Sequence, residues 1–226
     1  MKLSVIVPVY NERNTVLEVL ERVQAVPVEK EIIVVDNCST DGTRELLQGI
    51  QEDNVEVILQ PRNLLKGTSV RTGIRRARGE WTIVQDADLE YDPHDHVRLL
   101  QAAQTQQADA VLGSRFAHPA ADRGPRIHAF GRNRLNDLFR LLYGGRLTDV
   151  ATCYKLVRTS VLKSLTLRCC GFDLDYEIPA KLLKAGYKVI EVPIGYKPRT
   201  VAEGKKLRWR DGFRAVWCLI KFRFID

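Results

Sequence analysis

Along the first half of the chain, apolar residues fall in short unbroken runs separated by segments of helical periodicity. Residues 3–9 (LSVIVPV), 31–37 (EIIVVDN), 55–59 (VEVIL), 81–84 (WTIV) and 109–113 (DAVLG) each read as a strand. Between them, Val16, Leu17, Leu20 and Val23 recur at helical spacing. A Ser39-Thr-Asp41-Gly42 turn opens a second helix through Leu46, Leu47 and Ile50, and residues 68–78 and 93–104 read as two more. Strands that are apolar throughout, rather than alternating, are buried on both faces. Their alternation with helices predicts an α/β fold: a mostly parallel sheet with helices on both faces, in a single domain.

The second half is less regular. A helix is predicted around residues 135–142, beside six arginines between Asp122 and Asp149, among them Arg123, Arg126, Arg132 and Arg134. Residues 187–194 (YKVIEVPI) read as a late strand, and Pro193 places it at a sheet edge. From residue 211 a helix is expected with Phe213, Val216, Trp217, Ile220 and Phe224 on one face and Arg214, Lys221 and Arg223 adding charge. That pattern fits a helix lying in a membrane interface, or one docked on its own core with a charged outer face.

Charge sharpens this division. The 226 residues carry +7 overall, and nine Lys/Arg against three Asp/Glu from Gly195 onward account for +6 of it. A nearly neutral body with a basic end suggests an anionic surface or substrate at that end. The expected organisation is one α/β domain over residues 1–200 followed by a basic amphipathic segment over 201–226. No apolar run approaches the ~18 residues of a membrane span, and the first residues read as a strand rather than a secretory signal. Five cysteines without metal-type spacing point to reduced thiols, and so to the cytoplasm.

The candidate chemistry lies just beyond the 81–84 strand, where Asp86, Asp88, Glu90 and Asp92 fall within seven residues. On an extended chain, alternate side chains share a face. Asp86, Asp88 and Glu90 would then converge beyond the carboxyl end of a strand, where open α/β sheets bind ligands. Oxygen ligands of this kind suit Mg²⁺ or Mn²⁺ bridging to substrate phosphates. Acids after a strand equally often cap the next helix, and Asp173 and Asp175 repeat the Asp-x-Asp pattern. No glycine fingerprint for a dinucleotide and no Walker loop is present; Lys66-Gly67-Thr68 lacks the preceding glycines.

The ordered set PVYNE (8–12), VVDNCSTDGT (34–43), KGTSVRTGI (66–74), QDADLEYDP (85–93) and LGSRF (112–116) resembles the family-two glycosyltransferases of the GT-A fold. The later stretches EVPIGYKPRT (191–200) and EGKKLRWRDG (203–212) narrow the resemblance to the dolichyl-phosphate mannose synthase group and its polyprenyl-phosphate relatives. The resemblance implies that Pro8, Tyr10 and Glu12 line a nucleoside pocket, with Val35, Asp36 and Asn37 near base and ribose. It sets Asp86, Ala87 and Asp88 at the donor diphosphate, and Asp86, Asp88 and Glu90 around a Mg²⁺ or Mn²⁺ ion. Arg115, Arg199 and Lys205 would contact phosphates, Arg132 would be a second phosphate-binding arginine, and Asp88, Arg115 and Arg132 would form the catalytic set.

The implied reaction is inverting transfer of a hexose, glucose or mannose, from a nucleoside diphosphate to a polyprenyl (dolichyl or undecaprenyl) phosphate. The expected partners are a UDP- or GDP-hexose, the lipid phosphate and a membrane surface met by the basic C-terminal segment, with no nucleic acid. The expected location is peripheral, at the cytoplasmic face of a membrane. Two departures matter. Asn37 stands where relatives usually have a second carboxylate, which tilts the donor toward uridine, and Leu65 stands where a glycine is common. A hydroxyl acceptor, with Asp173, Asp175 or Glu177 as base, is the rival reaction. A non-catalytic nucleotide-sugar-binding subunit of a membrane complex is the rival of another class.

Overall fold

The computed structural model describes residues 1–117, 126–145, 147–199 and 209–225, without the side chains of 126–130, 132 and 209–211. Its strands are β1 (Leu3–Val9), β2 (Lys30–Asp36), β3 (Val55–Leu59), β4 (Trp81–Val84), β5 (Ala110–Ser114), β6 (Lys155–Arg158) and β7 (Val189–Pro193). Its helices are α1 (Val16–Ala25), α2 (Thr43–Gln48), α3 (Lys66–Arg76), α4 (Asp95–Thr105), α5 (Arg126–Tyr143), α6 (Thr159–Ser164), α7 (Leu174–Lys184) and α8 (Trp209–Phe224). The strands form one sheet in the order β3-β2-β1-β4-β6-β5-β7.

Every strand expected from the apolar runs is present, and β7 lies at the edge, where Pro193 costs no ladder hydrogen bond. β1 to β4 run parallel, and β7 is parallel to β5. The sheet is mixed because β6, which the apolar runs do not reveal, enters antiparallel between β4 and β5. In β1 and β2 alternate residues go to opposite faces and nearly all are buried. Ile6 meets α3 at Gly73, where an added Cβ would come within 2.4 Å of Ile6 Cγ2. Glycine there lets helix and sheet approach closely. On α1 the buried stripe is Val16, Val19, Leu20 and Val23, and Leu17 faces out, 47% exposed.

The chain runs outward from β1 through β2 to β3, then returns to β4 on the other side of β1. That reversal opens a crevice at the carboxyl ends of β1 and β4, the usual ligand position in such sheets. The acidic turn after β4 borders it. α8 packs on α5 and α7 through Ala215, Cys218, Leu219 and Phe222, and Tyr143 Oη donates to the Leu219 carbonyl at 2.6 Å. The face expected to be apolar points the other way: Phe213, Trp217, Ile220 and Phe224 are 68%, 66%, 40% and 78% exposed. No helix among the described residues is long and apolar enough to cross a membrane.

Candidate active site

A cleft of about 710 Å³ opens at the crevice. Pro8, Tyr10, Glu12, Asn37, Asp86, Ala87, Asp88, Glu90, Arg115 and Arg199 all line it, so most of the residues singled out by resemblance share one wall. Two do not reach it. Val35 is fully buried in a cluster with Ile33 and Ala77, because alternation within β2 turns it away from the crevice. Asp36 is fully buried too: it accepts the Ser39 N–H and pairs with Arg44 Nε at 2.8 Å, so it braces the β2–α2 turn. The side chain of Arg132, and Lys205 altogether, lie outside the described residues.

The acidic segment is not the extended chain assumed above. Residues 87–90 turn, and Leu89 has φ +61°, a left-handed conformation without glycine. The three carboxylates therefore line the cleft with different partners. Asp86 faces Lys66, whose Nζ lies 2.7 Å from Oδ1 and 3.0 Å from Oδ2. Glu90 uses both oxygens: Oε1 accepts the Arg199 N–H at 2.7 Å and Oε2 accepts the Tyr196 hydroxyl at 2.9 Å. With Arg199 Nε on the Asp88 carbonyl at 2.6 Å, these bonds strap the chain after β7 across the turn. Glu90 thus serves the strap with both oxygens, and among the described residues no three acidic, His or Cys side chains gather into a ligand set.

Asp88 is left over. Among the described residues its carboxylate accepts only the Glu90 N–H, at 3.2 Å. Burial, with the nearby charges of Asp86 and Glu90, pushes its pKa up to about 7. Asp86 behaves oppositely: burial disfavours its charge, but Lys66 more than offsets this and holds its pKa below the usual range. A cation suits this arrangement. Among the described lining residues, five carboxylates (Glu12, Asp86, Asp88, Glu90, Asp175) oppose three cations (Lys66, Arg115, Arg199), a formal −2. A wall of that sign repels a diphosphate unless a cation joins them. Asp88, with oxygens of the bound substrate, is the group that fits one.

Arg115 is fixed before any ligand arrives. Its Nε and Nη2 donate to the two oxygens of buried Asp149 at 2.7 and 2.8 Å, and the guanidinium lies over the Tyr196 ring. Arg199 is equally committed, Nη2 lying 3.0 Å from Glu12 Oε2. Asn37 donates to Asn63 Oδ1 at 2.9 Å and accepts the Leu64 N–H at 2.7 Å, so its amide fastens the loop before α3. Leu65 in that loop keeps φ +70° and ψ 160°, the conformation expected of the glycine it replaces.

Lys66, which opens the KGTSVRTGI stretch, has no role implied by the motif alone. Its position opening α3, after the 60–65 loop that follows β3, is the signal that was available. The acids considered as bases separate clearly. Glu177 is fully buried, accepting the Arg168 and Cys169 N–H groups and pairing with Lys181. Asp173 caps the Gly171 N–H. Asp175 alone of the three lines the cleft, 3.2 Å from Lys155 and 3.8 Å from Lys66.

Comparison with known sequences decides the family, because the Glycosyl transferase family 2 profile matches residues 4–166. The chain belongs to glycosyl transferase family 2. Within the curated family members it is 28% identical over 196 residues to glycosyltransferase AglJ of Haloferax volcanii, covering 86% of this chain and 63% of that protein. It is 30% identical over 217 residues to the dolichol-phosphate mannosyltransferase of Pyrococcus furiosus, covering 91% and 59%. The chain thus spans roughly three-fifths of the length of these two relatives. Glucosyl-3-phosphoglycerate synthase of Mycobacterium tuberculosis, solved with Mn²⁺, UDP and phosphoglyceric acid, shares the fold with TM-score 0.75 at 19% identity, over 100% of this chain and 79% of that one. Mannosyl-3-phosphoglycerate synthase of Rubrobacter xylanophilus gives 0.72 at 18%, over 98% and 72%.

Proposed function

We propose that this chain is an inverting glycosyltransferase that moves a hexose from a nucleoside diphosphate to a polyprenyl phosphate. The observation that carries the reading is the cleft itself: an under-compensated Asp88 and a pre-oriented Arg115 line one cleft of about 710 Å³. The 30% identity to a dolichol-phosphate mannosyltransferase supports the acceptor class.

A bound Mg²⁺ or Mn²⁺ supplies charge neutralisation for the diphosphate as the glycosidic bond breaks. Asp88 would hold that ion, and Lys66 and Arg199, which line the same cleft, would face the same anionic group. Tyr10, Pro8 and Asn37 bound the nucleoside end of the cleft. Arg115, its fork held by Asp149, meets the incoming phosphate, and a planar guanidinium suits that geometry. A phosphate monoester has its second pKa near ~6 and arrives as an anion, so attack needs no general base. Asp175, the rival base, is held by Lys155 at 3.2 Å with Lys66 3.8 Å away. Attack on the face opposite the departing diphosphate inverts the anomeric carbon.

The donor proposed is a UDP-hexose, on the replacement of a carboxylate by Asn37 at the cleft. The solved fold neighbour holding UDP and Mn²⁺ is consistent with that choice. The acceptor is a lipid, and the outward aromatic stripe of α8, flanked by Arg214 and Lys221, seats the protein on an anionic membrane at its cytoplasmic face. The test is radiolabelled UDP-glucose and GDP-mannose offered with polyprenyl phosphate or with sugar hydroxyl acceptors, with Mg²⁺ or Mn²⁺. Label passing from the UDP-sugar to the lipid phosphate is the expected result. Transfer only to a hydroxyl overturns the acceptor, and tighter binding of GDP-mannose overturns the donor.

A further inference from the structure

The Lys66–Asp86 pair bears on how the site fills. Lys66 begins α3, and Gly67 beside it touches the 170–171 backbone so closely that an added Cβ would lie 2.6 Å from the Cys170 carbonyl carbon. Thr68 N–H also bonds to the Cys170 carbonyl at 3.1 Å. The start of the helix is therefore clamped, and Lys66 lines the cleft. Its ammonium touches both oxygens of Asp86, with Asp175 at 3.8 Å on the other side and the Phe172 ring 5.4 Å away. Beyond Asp175, Lys155 continues the alternation of charge at 3.2 Å.

We propose that Lys66 makes binding of the divalent cation conditional on the donor: by occupying Asp86 it leaves Asp88 as the one carboxylate open to the ion, which then enters as a complex with the nucleoside diphosphate. The inference rests on the proposed function, whose donor diphosphate supplies the missing oxygen ligands. The coordination chemistry is simple. Mg²⁺ and Mn²⁺ favour oxygen ligands, and Mg²⁺ is usually held by one or two carboxylates together with substrate phosphates. One carboxylate and water make a weak site, and two phosphate oxygens complete it. The device has a use as well. A cleft already holding a cation would attract free phosphate, whereas one filled by the cation and donor together admits the intended anion.

The test is Mn²⁺ binding, followed by the electron paramagnetic resonance signal of the free ion, with and without UDP. Wild-type protein should bind Mn²⁺ at least tenfold more weakly without UDP than with it. Lys66→Met, which releases Asp86, should bind Mn²⁺ alone at least tenfold more tightly than wild type. Lys66→Arg, which keeps the pair, should resemble wild type, and Lys66→Gln replaces the methionine variant if that does not fold. Wild-type affinity equal with and without UDP, or no tightening on loss of the lysine charge, overturns the inference while leaving the glycosyltransferase reading intact. If neither UDP nor GDP binds in the presence of Mn²⁺, both fall.

Discussion

Arg115 and Asp149 form a two-pronged ion pair, Nε–Oδ2 2.7 Å and Nη2–Oδ1 2.8 Å, with the aspartate fully buried. Asp149 also accepts the backbone N–H of Arg115 at 3.1 Å, so one carboxylate sets both the arginine's main chain and its fork. Burial opposes the arginine's charge, but the surrounding groups, Asp149 among them, hold its pKa above the usual value. Breaking such a pair from one side typically costs about 3–5 kcal/mol. Asp149→Ala should therefore lower stability by about that much in urea unfolding. The milder Asp149→Asn should slow sugar transfer about tenfold or more, equivalent to ~1.4 kcal/mol of transition-state stabilisation, with little change in nucleotide affinity.

Leu65 is strained. A side chain at φ +70° and ψ 160° occupies backbone space that is essentially glycine's, at roughly 1–3 kcal/mol. Glycine there loses about 0.5–1 kcal/mol through the unfolded chain. Leu65→Gly should thus raise stability by about 1 kcal/mol, read as a higher urea midpoint. An unchanged or lower midpoint would show that the leucine conformation is not strained.

His96 is fully buried, with no hydrogen-bond partner for either ring nitrogen among the described residues. Burial, with the charge of Lys30 adding, pushes its pKa down to about 3, while Asp92 pulls the other way and His94 adds to the lowering. An unfolded histidine titrates near ~6.5. Between those values the unfolded chain binds a proton that the native one refuses, so this contribution is complete above pH ~6.5 and declines as pH falls toward 3. Its slope approaches ~1.4 kcal/mol per pH unit. His96→Leu should remove that part of the acid sensitivity, measured as a smaller loss of unfolding free energy between pH 7 and pH 5 than in wild type.

The outward stripe of α8 gives a binding prediction. Burying a large apolar side chain is worth about 1.5–3 kcal/mol, and Trp217 and Phe224 are two-thirds or more exposed. Trp217→Ser with Phe224→Ser should weaken sedimentation with anionic vesicles at least tenfold and leave the thermal unfolding temperature nearly unchanged. Equal binding of the double variant would remove the helix from the membrane account.

Much of this architecture was legible in the sequence, for reasons that differ between elements. β1, β2 and β4 are apolar without interruption because both their faces are covered, which period and composition reveal. β6 carries Lys155 and Arg158 at its two ends and pairs antiparallel with strands distant in sequence, so nothing local announces it. Lys155 is buried because its ammonium bonds to the Thr152 carbonyl and Asp175, a tertiary arrangement. α7 hides behind Pro179, which lies within the helix. At the site, residue types and order were enough to gather most of the cleft, but side-chain direction was not. Alternation on an extended strand failed at Leu89, where the backbone turns left-handed without a glycine to mark it. The commitments of Asp86 to Lys66 and of Glu90 to the strap follow from contacts 20 and 109 residues apart.

In the proposed reaction an ion held by Asp88 would draw charge from the departing nucleotide. The most direct test of this is the rate of hexose transfer to polyprenyl phosphate by wild type and Asp88→Asn, with saturating Mn²⁺ and with chelator. A loss of at least ~10²-fold is expected on substitution, the scale of removing a charge-stabilising group, with wild type in chelator falling to a similar level. Transfer by Asp88→Asn at the wild-type rate, or wild-type activity indifferent to chelation, would contradict it.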